Sequence, residues 1–176
     1  MTPKYIFIHH TSVSYDKNPD QWKATDNYHK GKGWGGGGYN YEVAKDGSIH
    51  QFRADGGVTA AQYQNNLNNG QALSICLDMN GDIELPTKAQ KEAVAAWLGE
   101  KMEKYHILPG NVFCHRKVAH YKTCPGAKLP NDILYYFLPM STANVLPSDW
   151  ALEGWKWPTE AMQVPQPTAN PKELAS

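Results

Sequence analysis

The sequence predicts an α/β domain in which a mixed central β-sheet is flanked by helices. Two short runs carry the strand signal: Tyr5–Ile8 is uninterrupted and rich in β-branched and aromatic residues, the pattern of a central strand buried on both faces, and Leu73–Leu77 is a second, largely apolar strand. The stretch from Tyr39 to Arg53 alternates around Asp46-Gly47, as a β-hairpin does. Thr87-Lys88-Ala89-Gln90 follows Pro86 as a capping-box sequence and opens a helix with one apolar face. A chain of 176 residues holds one such domain with a sizeable core and a short extension, but not a second full domain.

Each element has its own local cause. The first run delivers His9 to a strand end. Asn18-Pro19 supplies a cap and a first-turn proline, so a helix is expected from there to about Lys30, ended by Gly31 and Gly33. Asn65 to Asn69 reads as a loop. Ala93, Val94, Trp97, Leu98 and Met102 are spaced to form the apolar face of the helix opened at Thr87, which should pack on the sheet. Val112-Phe113-Cys114 reads as a further short strand leading into His115, and Asp132 to Leu138 as a last short helix. Beyond Pro139 the character changes, with five further prolines from Pro147 to Pro171 and the tryptophans Trp150, Trp155 and Trp157. The domain is therefore expected to cover residues 1–140, a Trp/Pro-rich appendage residues 141–164, and a disordered tail residues 165–176.

Composition excludes several partner classes. Seventeen basic and seventeen acidic residues give a net charge of zero, which advertises neither nucleic acid nor an anionic membrane. No stretch approaches the roughly 20 apolar residues of a membrane span, so no membrane insertion is expected. Met1-Thr2-Pro3-Lys4 runs into a strand without a signal-peptide apolar region, which points to synthesis in the cytoplasm. Cys76, Cys114 and Cys124 are odd in number, which argues against a disulfide framework and leaves the thiols for a metal or the core.

His9, His115 and Cys124 are the candidate site. His9 ends one apolar run, His115 follows another, and Cys124 precedes Pro125-Gly126, so the three can meet at one edge of the sheet. Two histidines and a cysteine would give zinc three protein ligands and leave one position for water, the arrangement of a catalytic site. No HExxH occurs, which removes the helix-borne zinc peptidases. Taken singly, Cys124 reads equally as a buried thiol and each histidine as a structural residue. His120 is a rival ligand, while His29, His50 and His106 have no distinguishing spacing. Gly35 to Gly38 is not followed by Gly-Lys-Ser/Thr, so it reads as flexible backbone beside a ligand groove, not as a phosphate loop.

Four segments taken in order resemble a known family: Ile6-Phe7-Ile8-His9-His10-Thr11; Gly33-Trp34 through Gly38-Tyr39-Asn40-Tyr41 with Asp46-Gly47; Ser74-Ile75-Cys76-Leu77 with Pro86 to Gln90; and His115-Arg116 through Cys124-Pro125-Gly126. The family is the zinc-dependent N-acetylmuramoyl-L-alanine amidases of the phage-lysozyme and peptidoglycan-recognition-protein type, and the resemblance covers roughly residues 5–138. It implies one zinc ion per chain on His9, His115 and Cys124, with His10 the non-binding neighbour. It assigns catalytic roles to Tyr39 and Lys122. As a fixed cation Lys122 would stabilise the tetrahedral oxyanion, an effect worth roughly 3 kcal/mol per donor. Tyr39 would orient the water or share that oxyanion, since a phenol is too weak an acid to serve as a simple base.

The implied reaction is cleavage between the lactyl group of N-acetylmuramic acid and L-alanine, with peptidoglycan and muropeptides as partners. An endolysin or prophage lysin, released onto the wall at lysis, fits the missing export signal, and residues 141–164 then read alternatively as the start of a wall-binding segment. A binding protein on the same fold and a zinc peptidase acting within the stem peptide are the rivals; members that only bind have typically lost the cysteine, which is present here. Two departures stand out. The loop from His115 to Cys124 is one residue longer than usual, so Lys117–Thr123 should bulge, and Val58–Gln62 lacks the usual groove-lining histidine, which bears on substrate preference and leaves zinc binding untouched.

Overall fold

The computed structural model describes residues 1–14, 20–62, 67 and 70–138. The apolar runs are strands: β1 is Tyr5–His10, β2 Tyr41–Val43, β3 Ile49–Gln51, β4 Ala72–Leu77 and β5 Val112–Cys114. They form one sheet in the order β3-β2-β4-β1-β5. β1 runs parallel to both β4 and β5, β2 runs parallel to β4, and β3 returns antiparallel to β2 through the expected hairpin. This is the mixed, helix-flanked sheet the sequence predicts. No helix among the described residues is long and apolar enough to cross a membrane.

Alternation along the strands sorts the two faces. Ile6, Ile8, Tyr41, Val43, Leu73, Ile75 and Leu77 enter the apolar core with Val94, Trp97, Leu98 and Met102, and with Ile133, Leu134 and Phe137. The first four of those partners lie on α2 (Lys88–Tyr105), the last three on α3 (Ile133–Phe137), which sits just inside the expected Asp132–Leu138. The α2 face is the one expected, with Ala93 at its margin. Its start also follows the sequence: the Thr87 hydroxyl accepts the Gln90 backbone N–H, and the Gln90 side chain accepts the Thr87 N–H. A buried ionic knot ties this helix to the sheet. Asp55 accepts hydrogen bonds from the Tyr41 and Tyr105 hydroxyls and pairs with Lys101 at 3.1 Å.

The opposite face carries Phe7, His9, Ser74, Cys76 and Glu42, under α1 (Gln21–Gly31). That helix presents a polar stripe to the interior: Gln21, Thr25 and His29, four residues apart, are its buried side chains. Gln21 donates to Thr25 and Thr25 donates to Glu42, so hydrogen bonds take the place of apolar packing. The expected Asn18-Pro19 cap lies outside the described residues, and the described helix starts with Asp20 at its N-cap. It stops as expected, with Gly33 at φ +79° in the turn beyond. The Asn65–Asn69 loop, apart from residue 67, the boundary near residue 140 and both C-terminal segments also lie outside the described residues.

Candidate metal centre

Strand register explains why two distant histidines meet. β1 and β5 are parallel neighbours with Ile8 opposite Cys114, so the next residues, His9 and His115, leave the sheet side by side. Their ring centroids are 4.5 Å apart. Both lie at the carboxyl ends of parallel strands, where open α/β sheets place their ligands. Cys124 returns to the same point because Arg116 holds its loop. The Arg116 backbone N–H donates to the Cys124 carbonyl, and its guanidinium donates to the carbonyls of Thr123, Gly126 and Leu129 and to Asn131 Oδ1. Gly126, at φ +120°, packs backbone to backbone on Gly81 with no room for a Cβ on either residue.

One donor atom from each of His9, His115 and Cys124 lies within 4.8 Å of the other two, and all three residues are buried. Burial and the nearby His115 hold the His9 imidazole well below its ordinary value, and burial drops His115 to about 4, so both rings are neutral with lone pairs to offer. Burial pushes the Cys124 thiol up to about 12, against the backbone N–H of His10 that it accepts and the Lys122 cation. A divalent ion entering the cluster would therefore displace the thiol proton.

Two observations show that this donor set fits a metal. His115 Nε2 is buried and has no hydrogen-bond partner among the described residues, an orphan that coordination would satisfy. His9 Nδ1 stands 3.6 Å from Cys124 Sγ. In a tetrahedral zinc site with ordinary Zn–N and Zn–S bonds these atoms would be about 3.6 Å apart.

His10 is excluded by its own bonds. Its Nδ1 accepts the Gly81 N–H at 3.0 Å and its Nε2 faces the Ser12 hydroxyl at 2.9 Å, so both ring nitrogens are spoken for. His120 does not join the cluster either. The Lys117–Thr123 loop bulges outward through two successive turns, closed by Val118 N–H to His115 O and Lys122 N–H to Ala119 O, which leaves His120 exposed. The rival ligand is thereby set aside.

The cluster forms part of the floor of a groove of about 1010 Å³. Lys122 is exposed at its rim, close enough for its charge to act on His9, His115 and Cys124. Tyr39 is half-buried with its ring 5.2 Å from His9. Burial, reinforced by Cys76 and Cys124, raises the Tyr39 phenol well above its ordinary value, and its hydroxyl is hydrogen-bonded to Cys76. It is a neutral hydrogen-bond donor.

Other groove residues escaped the sequence reading. His29 is buried in the wall, accepts the Gly38 N–H on Nδ1 and stacks on Trp34 at 4.6 Å. The Gly35–Gly38 run lies beside the groove as expected, but it is held in place: Gly37 N–H donates to Asp26, and the Arg53 guanidinium donates to the carbonyls of Trp34, Gly36 and Gly37. Val58–Gln62 also does more than expected, since Gln62 Oε1 accepts the Ser74 hydroxyl, whose oxygen lies 3.5 Å from His9 Nε2.

Behind the cluster, Glu42 is fully buried with Oε2 unpartnered among the described residues, and burial raises its carboxyl to about 8. The unfolded chain ionises such a group near pH 4.3, so between that value and about pH 8 unfolding releases a proton and stability falls as pH rises. Asp78, raised to about 6 by burial, acts in the same direction. Wild type is expected to lose more stability than Glu42→Gln on going from about pH 5 to about pH 8, at a slope approaching ~1.4 kcal/mol per pH unit. Urea unfolding at the two pH values checks this; parallel losses would mean that Glu42 ionises freely in the fold.

The family model for N-acetylmuramoyl-L-alanine amidase matches residues 1–127. The chain belongs to this amidase family. Among curated relatives, peptidoglycan-recognition protein SC2 of Drosophila simulans is 28% identical over 135 residues, spanning 73% of this chain and 71% of the relative. Among solved structures, the N-acetylmuramoyl-L-alanine amidase LysC from Clostridium intestinale is 29% identical, with a TM-score of 0.65 over 78% of this chain and 86% of that one. A point mutant of Drosophila PGRP-LB, solved in complex with tracheal cytotoxin, is 25% identical, with a TM-score of 0.62 over 84% of this chain and 85% of that one. The amidase family thus includes both named hydrolases and named recognition proteins among the relatives of this chain.

Proposed function

We propose that this chain is a zinc-dependent N-acetylmuramoyl-L-alanine amidase that degrades peptidoglycan as an endolysin. One observation carries the reading: His9, His115 and Cys124 converge, buried, in a groove, with an unpartnered ring nitrogen and an imidazole–thiol distance that suit zinc. The thiol is what favours hydrolysis over recognition alone, because it completes a three-ligand set that leaves a position for water. The likeness to LysC and to PGRP-LB supports peptidoglycan as the substrate.

Held by His9, His115 and Cys124, a zinc ion would supply a bound water of pKa about 7 and a Lewis acid for the scissile carbonyl. The protein does the rest. The groove orients the muropeptide so that its lactyl amide lies over His9 and His115. Lys122 supplies a positive charge at the rim, where the carbonyl oxygen gains negative charge as the amide carbon becomes tetrahedral. Tyr39, held neutral, turns its single hydroxyl proton from Cys76 to the attacking water or to that oxygen. The water's oxygen stays on the carbonyl carbon, the C–N bond breaks, the alanine nitrogen takes a proton released by that water and leaves as an amine, and the lactyl group is left as a carboxylate.

Chelation separates hydrolysis from binding. Clearing of purified peptidoglycan is expected to stop when the chelator removes the metal and to return on adding about one equivalent of zinc per chain. Activity that survives complete metal removal would overturn the zinc reading.

A further inference from the structure

Gln62 is completely buried, yet nothing in the reaction just described uses it. Its Oε1 accepts a hydrogen bond from the Ser74 hydroxyl, and the amide favours a proton on the His9 ring, as an acceptor beside it does. Ser74 Oγ itself lies 3.5 Å from His9 Nε2. Ser74 is on β4 directly opposite Phe7 of β1, on the face of the sheet that carries His9. The other ring nitrogen, Nδ1, is the one that faces Cys124 Sγ. One edge of the imidazole therefore looks at an amide and a hydroxyl, the other at the thiol.

We infer that Gln62, braced by Ser74, is a positioning residue that holds His9 as the Nε2–H tautomer with its Nδ1 lone pair aimed at the metal. A neutral imidazole has one N–H, so the nitrogen that donates decides which nitrogen can ligate. An acceptor on the outer nitrogen also fixes the ring's rotation, the role that hydrogen-bonded groups behind metal-ligating histidines generally fill. Burying a primary amide costs free energy unless it is hydrogen-bonded, and half of this one, Nε2, is unpartnered among the described residues. An apolar side chain would fill the space without that cost, so the amide oxygen is what the position provides. A neutral acceptor also leaves Cys124 as the one ligand that carries negative charge among the three.

This inference rests on the proposed metal site and is tested on the full chain with zinc. Competition against a chromophoric chelator measures affinity. Gln62→Leu is expected to weaken zinc binding 10- to 100-fold, with the zinc-loaded variant keeping its far-UV circular dichroism. Gln62→Glu restores an acceptor at the same place and is expected to come back to within a few-fold of wild type, a rescue that a purely packing role would not give. Nitrogen-15 NMR of zinc-loaded wild type should show His9 ligated through Nδ1 with a proton on Nε2, which decides the matter even if Gln62→Leu does not fold. Unchanged affinity in Gln62→Leu, failure of the Glu rescue, or ligation through Nε2 would overturn the positioning role while leaving the metal site standing. If wild type binds no zinc, both fall.

Discussion

Cys124→Ala is expected to lose its metal and, with it, peptidoglycan hydrolysis. Four-ligand zinc sites bind with about 10–16 kcal/mol in total. One ligand then accounts for roughly 3–4 kcal/mol, on the order of 10² to 10³ in affinity. The loss should not be blurred by unfolding. Cys124 sits in a loop that Arg116 and the Gly81–Gly126 contact hold independently of the thiol, and its Sγ points into the cluster, not into the apolar core. His120→Ala is the matched control, since His120 is exposed and outside the cluster, and it should keep metal and turnover. Metal content by atomic emission and chelator competition read both variants. Full zinc retention in Cys124→Ala, or loss in His120→Ala, would contradict the ligand set.

Lys122→Ala is expected to keep zinc and fold but lower kcat on the order of 10² to 10³, the cost of removing one oxyanion donor. The side chain is exposed at the rim and its charge opposes protonation of His9 and His115. Removing a cation beside a cation site should not weaken metal binding. A structural lysine and a catalytic one therefore give different results: the first leaves metal-loaded turnover at wild type, the second lowers kcat with zinc in place. A rise in KM alone would assign Lys122 to ground-state binding and leave the oxyanion to other groups.

Much of the frame was legible because local signals and the tertiary structure agree. The apolar runs, the Asp46-Gly47 hairpin and the Thr87–Gln90 capping box each have a short-range cause, and each appears where that cause puts it. His9 and His115 were visible as the residues next to apolar runs. That they meet depends on the parallel register of β1 with β5, which no local pattern specifies. Arg116 gives no local signal, because its work is done by four tertiary hydrogen bonds from a side chain that looks like any loop arginine. Gln62 was invisible for the same reason. His29 did leave a trace, the four-residue spacing of Gln21, Thr25 and His29, but a polar stripe reads as a solvated face until the sheet beneath it is known to carry Glu42. In sequence the glycine run reads as flexible because the hydrogen bonds that hold it come from Asp26 and Arg53, the latter at the far end of the next hairpin.

Mass spectrometry of the products from purified peptidoglycan digested by the zinc-loaded chain tests the central claim most directly. Cleavage at the lactyl amide yields stem peptides with a free L-alanine amine, together with glycan whose N-acetylmuramic acid carries a free lactyl carboxylate. Stem fragments cut between their own amino acids, with alanine still attached to the lactyl group, would instead identify a peptidase, and an undigested sacculus that retains bound zinc-loaded protein would identify a recognition protein.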